Sequence, residues 1–253
     1  MTLLLEIAWS EAGTTTSVVD TVAHTTVGEG HAAHPAPAAG DADPDAWWAA
    51  TVEATRLALD AAAVLGQDTS TLRAVVLAAG DPPGGLVALD ADGAVLRALV
   101  GSHADSAADA GWLLSQVEGG RDTWLAATEV EPTAGSTVAL LSWLHRSDEA
   151  AWSAARRFTL PTGWLLERLG GDAAVGSHDA VGTAVLDLRD PRRWRTELLD
   201  VVDGERDWEA SLPSVASTAE PVGMLATPAA EELGVAPGLP LHLGAAPATG
   251  DAG

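Results

Sequence analysis

The chain is predicted to fold as an α/β domain with a mixed sheet, an opening antiparallel meander and flanking helices. Three observations carry that reading. Short β-branched stretches crowd the first residues, a long capped helix follows them, and a continuous apolar run leads into a hairpin before the pattern turns helical.

The opening stretches are LLLEIAW at 3–9, TTTSVVD at 14–20 and TVAHTTV at 21–27, separated by Gly or charged positions. Their spacing predicts three antiparallel strands. A Pro/Ala/Gly connector ends at Asp43, an N-cap residue with Pro44 at the first helical position, and apolar residues then recur as far as Leu65. LRAVVLAAG at 72–80 has the composition of a buried strand, and 84–100 reads as a hairpin turning at Asp92-Gly93. Helical spacing follows in 104–118, 134–146, 148–158 and 161–169, stopped by Gly170-Gly171. Residues 179–190 suggest a turn and a strand, and 191–202 a helix capped by Asp190. One helix, TPAAEELG, and one short strand, LPLHLGAAP, complete the series. No solenoid repeat is visible.

Composition narrows the function classes. At 253 residues the chain can form one sizeable domain or two small ones, and its 47% hydrophobic and 19% charged residues are an ordinary globular balance. No run approaches the roughly 18–20 apolar residues of a membrane span. The start lacks a basic region and places Glu6 within its apolar run, so no secretory leader is predicted and a cytoplasmic location is expected. With no cysteine there is no disulfide or thiolate nucleophile. All 13 basic residues are Arg, which removes lysine Schiff-base chemistry and the lysine of a P-loop. A net charge of −23 repels nucleic acid and anionic lipid. The basic cluster RDPRRWR at 189–195 is interrupted by Asp190 and Pro191 and reads as a solvated helix start. The seven histidines show no HExxH spacing and no Gly-x-Ser-x-Gly elbow occurs, so neither a metal site nor a serine hydrolase is predicted.

DPDAWWAA, the 84–100 hairpin, TLPTGWLLERLGG, SHDAVGTAVLDLRD and the closing PATGDAG follow one another in an order that resembles the N-terminal domain of the FGGY carbohydrate kinases, the xylulokinases in particular. The resemblance covers the whole chain. It implies an actin-like, ribonuclease-H-like domain over 1–253, with 244–253 as the stub where a second, nucleotide-binding domain would begin. Family members hold sugar mainly on the first domain and ATP with Mg²⁺ mainly on the second. A carboxylate accepts the proton of the attacking hydroxyl.

That carboxylate belongs to a Gly-x-Gly-Asp-Asn motif, and ATGDAG matches it with Asp251 as the candidate general base and Ala252 in place of Asn. The plainer reading of Asp251 is a frayed terminal acid. Elsewhere the chain departs from the family. Its first turn, Asp-x-(Gly/Ser)-Thr, becomes Ala8-Trp9-Ser10-Glu11, where an acid at the Thr position would repel a γ-phosphate. The Gly-Gln-x-His-Gly sugar segment becomes GDPPGG, with Pro82 and Pro83 donating nothing. Leu-Pro-x-Asp becomes LPTG, with Gly163 at the polar position. GSHAD at 101–105 leaves Ser102, His103 and Asp105 as candidate polyol contacts, against the ordinary expectation of a solvated loop. Asp179, with Gly182 and Thr183, keeps its pattern, as a further substrate candidate or a structural cap.

Two expectations follow. One is an active ATP-dependent sugar kinase, which needs the acid, the polar sugar contacts and the nucleotide domain. The other, favoured here, is a pseudoenzyme or accessory module that binds a sugar, a partner chain or nothing, with ATP and Mg²⁺ engaged only if a partner chain supplies the nucleotide domain and makes a split enzyme. No metal ligand is assigned.

Overall fold

The computed structural model describes residues 2–37, 41–79, 84–101, 103–217 and 220–245. Strands β1 (Leu3–Ser10), β2 (Gly13–Asp20) and β3 (Thr25–Ala33) form the expected meander, and α1 (Pro44–Val64) follows. The Asp43 carboxylate accepts from the Asp45 amide, and Pro44 starts the helix where its missing N–H costs nothing. Next come β4 (Leu72–Ala79), the hairpin β5 (Leu86–Leu89) and β6 (Val95–Leu99), then α2 (Ala107–Gln116), α3 (Gly120–Thr128), α4 (Thr137–Ser147), α5 (Glu149–Ala154), β7 (Arg157–Thr159) and α6 (Pro161–Leu169). The remaining elements are β8 (Ala174–Gly176), α7 (Ser177–Val181), α8 (Thr196–Leu199), α9 (Trp208–Ser211), β9 (Ser214–Ala216), α10 (Thr227–Leu233) and β10 (Leu241–Ala245).

The main sheet is mixed, in the order β10-β4-β1-β2-β3: β1 runs parallel to β4 and β4 to β10, while β1–β2 and β2–β3 are antiparallel. Alternation buries Leu3, Leu5, Ile7 and Trp9 on one face, where α1, α6 and α10 cover them. Trp48 donates its indole N–H to Glu232, and Arg56 donates to the Glu232 carbonyl, tying α10 to α1. A second core lies under the β6-β5-β7 sheet, around Trp124, Trp152, Phe158 and Trp208. There the Arg206 guanidinium stacks 4.3 Å from the Trp152 ring centre and 4.9 Å from that of Phe158.

Several elements differ from the expectation. The third strand begins at Thr25, because the Asp20 carboxylate accepts from the amides of Val22 and Ala23 and holds Thr21–His24 in a turn. It also continues through Gly28 and Gly30, beyond the expected strand at 21–27. These glycines let the helix lie directly on the strand, since a Cβ would meet the Ala58 carbonyl at 2.3 Å or the Ala54 carbonyl at 2.2 Å. The expected helix over 148–158 stops at Ala154, and 157–159 pair with β5 instead. The expected strand within 179–190 is replaced by α7 and a single bridge, Leu186 to Trp194. The helix expected from Pro191 forms only over 196–199, because the amides of Asp187 and Arg195 bond across to the carbonyls of Arg193 and Val185. Helices α3 and α9 and strands β8 and β9 lay outside the sequence pattern.

Candidate functional site

The three parallel strands end along one edge. Ala245 stands opposite Ala79, and Ala79 opposite Trp9. Beyond that edge lies a cleft of about 820 Å³, walled by the β1–β2 turn, by Gly84 and Gly101 of the hairpin segment, by Thr133–Ser136 ahead of α4, and by His178, Val181 and Gly182 at α7. Crevices at the carboxyl ends of parallel strands are the usual ligand positions of open α/β sheets.

The β1–β2 turn is tight. Ser10 pairs with Gly13, the Ser10 hydroxyl donates to the Gly13 carbonyl at 2.9 Å, and the His34 amide bonds to the Ala12 carbonyl. This places Glu11 and Ala12 at the corner, in the cleft wall. Trp9 is buried against Trp47, edge-on at 5.2 Å, and against His34 at 6.0 Å. The His34 ring shares a 2.9 Å hydrogen bond with the Thr14 hydroxyl, and burial holds its pKa below the ordinary histidine value. The turn that the family motif would devote to phosphate is thus anchored from behind by an aromatic cluster. Its corner brings Glu11 into the cleft wall, while Ala8 lies back in β1 and does not line the cleft.

The opposite wall depends on close backbone packing. A Cβ on Gly135, whose φ is +82°, would meet the Gly101 carbonyl oxygen at 1.7 Å, so only glycine fits there. The Ser106 hydroxyl accepts from the Gly135 amide at 2.9 Å, and the Thr137 hydroxyl donates to the Gly85 carbonyl. The hydroxyl-bearing residues that line the cleft are Ser10, Thr133 and Ser136, beside the backbone of Gly84, Gly101 and Gly135.

His103, Asp105 and Asp179 flank this cleft and do not line it. His103 is 2% exposed, packs edge-on against Trp143 at 4.2 Å, and among the described residues has no hydrogen-bond partner on either ring nitrogen. It belongs to a packed corner, not to the solvated loop expected of GSHAD. Asp105 is exposed in the turn before α2. Asp179 is buried and accepts a 2.8 Å hydrogen bond from the Thr162 hydroxyl, joining α7 to α6. Gly163 faces the same packing: a Cβ there would meet the Thr159 hydroxyl at 2.2 Å, so no polar side chain of the family type fits. Ser102, Pro82, Pro83 and Asp251 lie outside the described residues. Sequence reading missed His178 and Thr133–Ser136 as cleft residues. The polar turn EPTAGST between two helices, and the position of His178 immediately before Asp179, were the available signals.

The family model for the FGGY family of carbohydrate kinases, N-terminal domain, matches residues 16–248. The chain belongs to the FGGY family of carbohydrate kinases. The xylulose kinase of Streptomyces rubiginosus is 32% identical over 184 residues, which are 72% of this chain and 36% of that protein. An autoinducer-2 kinase of Escherichia coli K12 is 35% identical over 123 residues, 46% of this chain and 22% of that one. Among solved structures, xylulose kinase from Rhodospirillum rubrum superposes with a TM-score of 0.82 at 20% identity over 96% of this chain and 49% of that one. Plasmodium falciparum glycerol kinase with ADP superposes with a TM-score of 0.75 at 14% identity. The FGGY chain thus has the actin-like, ribonuclease-H-like α/β fold of these kinases and is similar to xylulose kinases and other sugar kinases. It spans about a third of the length of the Streptomyces relative and about half that of the solved structures.

Proposed function

We propose that this domain binds a pentulose or a related sugar in the cleft beside the β1–β2 turn and does not itself carry out phosphoryl transfer. The carrying observation is the turn. Phosphoryl transfer depends on neutralising charge at the phosphate, with a metal ion held by at least one oxygen ligand. Ala8 stands where the family motif has its acid, and a methyl group cannot be a ligand. Glu11 adds negative charge to the wall where phosphate oxygens would approach. Among the described residues, no three His, Asp or Glu side chains are grouped to hold a metal. The described residues therefore do not fit Mg²⁺ and ATP at this turn.

On this reading the protein is a pseudoenzyme of xylulokinase descent, cytoplasmic in setting. Thr133, Ser136 and the glycine backbones of the cleft supply the sugar contacts, and Ser102 extends that set. Asp251 retains the general-base position of the family. Any phosphoryl transfer would need nucleotide-binding groups other than the described residues, facing the cleft.

Titration calorimetry against a panel of pentuloses and pentitols tests the binding reading. A saturable heat with one ketose, weakened when Ser136 is replaced by alanine, is expected. Flat titrations with every sugar would remove it.

A further inference from the structure

A second feature of the fold lies away from the cleft. β3 is the last strand of the main sheet, and among the described residues nothing pairs with its outer edge. Such edges are normally guarded by charged side chains, proline, bulges or a covering segment. Between Gly28 and Ala33 this one carries no lysine and no proline, and Glu29 is its one acidic side chain.

The groups that this edge offers follow from the pairing on its inner side. The His34 amide bonds to the Ala12 carbonyl, so even-numbered residues from Gly28 to His34 turn their backbone groups toward β2. Glu29, His31 and Ala33 consequently turn theirs outward. The side chains of Glu29 and His31 are exposed and stand on the sheet face opposite α1, because Gly28 and Gly30 face the helix.

We propose that this edge pairs with the same edge of a second copy of the chain, antiparallel about a two-fold axis through Gly30. Only certain registers place outward-facing groups opposite one another, and centring on Gly30 is one of them. In that register Glu29 lies opposite His31 of the second copy, and the symmetry repeats the pair. One strand carries an acid and an imidazole at equal distances on either side of one residue, which makes the surface complementary to itself. On the α1 side, the Leu57 Cβ lies 2.6 Å from where a Gly30 Cβ would stand, so Leu57 sits beside the proposed axis. Leu57 is 46% exposed and continues through Ala61 to Val64, 86% exposed, at the i, i+4, i+7 spacing of a single helix face. The pairing would cover this apolar stripe and extend the sheet across both copies.

Sedimentation velocity of the 253-residue protein over the micromolar range tests the proposal. The expected species has twice the 25.7 kDa chain mass. Glu29→Lys removes the carboxylate that faces the His31 imidazole at both symmetric positions and should raise the dissociation constant roughly tenfold. Combining it with His31→Glu should restore the dimer, because an ammonium group and a carboxylate then face each other at both positions. Leu57→Glu should also weaken it, by about tenfold or more. Circular dichroism melting verifies that each variant is folded. A monomer throughout the range overturns the proposal. So does a dimer that none of these variants alters, or a mass that keeps growing with concentration, which would indicate open-ended strand addition in place of a closed pair.

Discussion

The α6–α7 corner and the β1–β2 turn are both places where the family motifs carry an acid, and this chain treats them in opposite ways. At the corner Asp179 is kept, buried and bonded to Thr162, where it ties two helices together. At the turn the acid is Ala8, and the cleft-facing corner residue is Glu11. The acid of the corner serves the packing of two helices, whereas the acid of the turn faces an open cleft. A buried carboxylate is costly to lose because its partners lose their acceptor.

The comparison breaks most directly at the corner. Asp179→Ala should lower unfolding free energy by about 2–3 kcal/mol in urea titration, and a loss below about 0.5 kcal/mol, the range of ordinary surface substitutions, would show that the corner is not structural. Gly163→Asp, which writes the family residue back, should cost about 1–3 kcal/mol from crowding against Thr159 and Val175. Glu11→Thr at the turn should move stability by no more than about 0.5 kcal/mol, and a larger loss would give the turn a packing role.

Two titrations sharpen the picture with smaller effects. His34, behind the turn, has a pKa below its unfolded value of 6.5. Its contribution to stability is complete above that value and declines as pH falls through the window beneath it, so His34→Gln should flatten the slope of melting temperature against pH there. Glu6, on the sheet face away from α1, has a pKa raised by burial. Its contribution is present below 4.5 and is lost as pH rises through the raised value. Glu6→Gln should therefore raise the melting temperature at neutral pH, by about 1–2 °C.

Much of this architecture was legible because it rests on local rules. Asp43-Pro44 fixed the start of α1, Asp92-Gly93 turned the β5–β6 hairpin, and the apolar run at Leu72 formed β4. What escaped depends on contacts distant in sequence. Gly28 and Gly30 lie beyond the expected strand, because their place in it depends on α1 lying on them, and β7 exists only because β5 offers it an edge. The same holds for the site. Trp9 and Glu11 could be placed at the first turn from sequence alone, but the part of Thr133–Ser136 in the opposite wall arises from the contact between Gly101 and Gly135, 34 residues apart in the chain. Gly163 reads as a lost polar contact in sequence, and the fold shows it to be a packing requirement.

The measurement that bears most directly on the central claim is coupled release of ADP from ATP and Mg²⁺ by the purified chain in the presence of xylulose. The account predicts a rate no greater than that of heat-inactivated protein, even at sugar concentrations that saturate the calorimetric signal. Sugar-dependent ADP release that disappears in Glu11→Ala would contradict it, because the residue described here as opposing phosphate would then be serving the transfer.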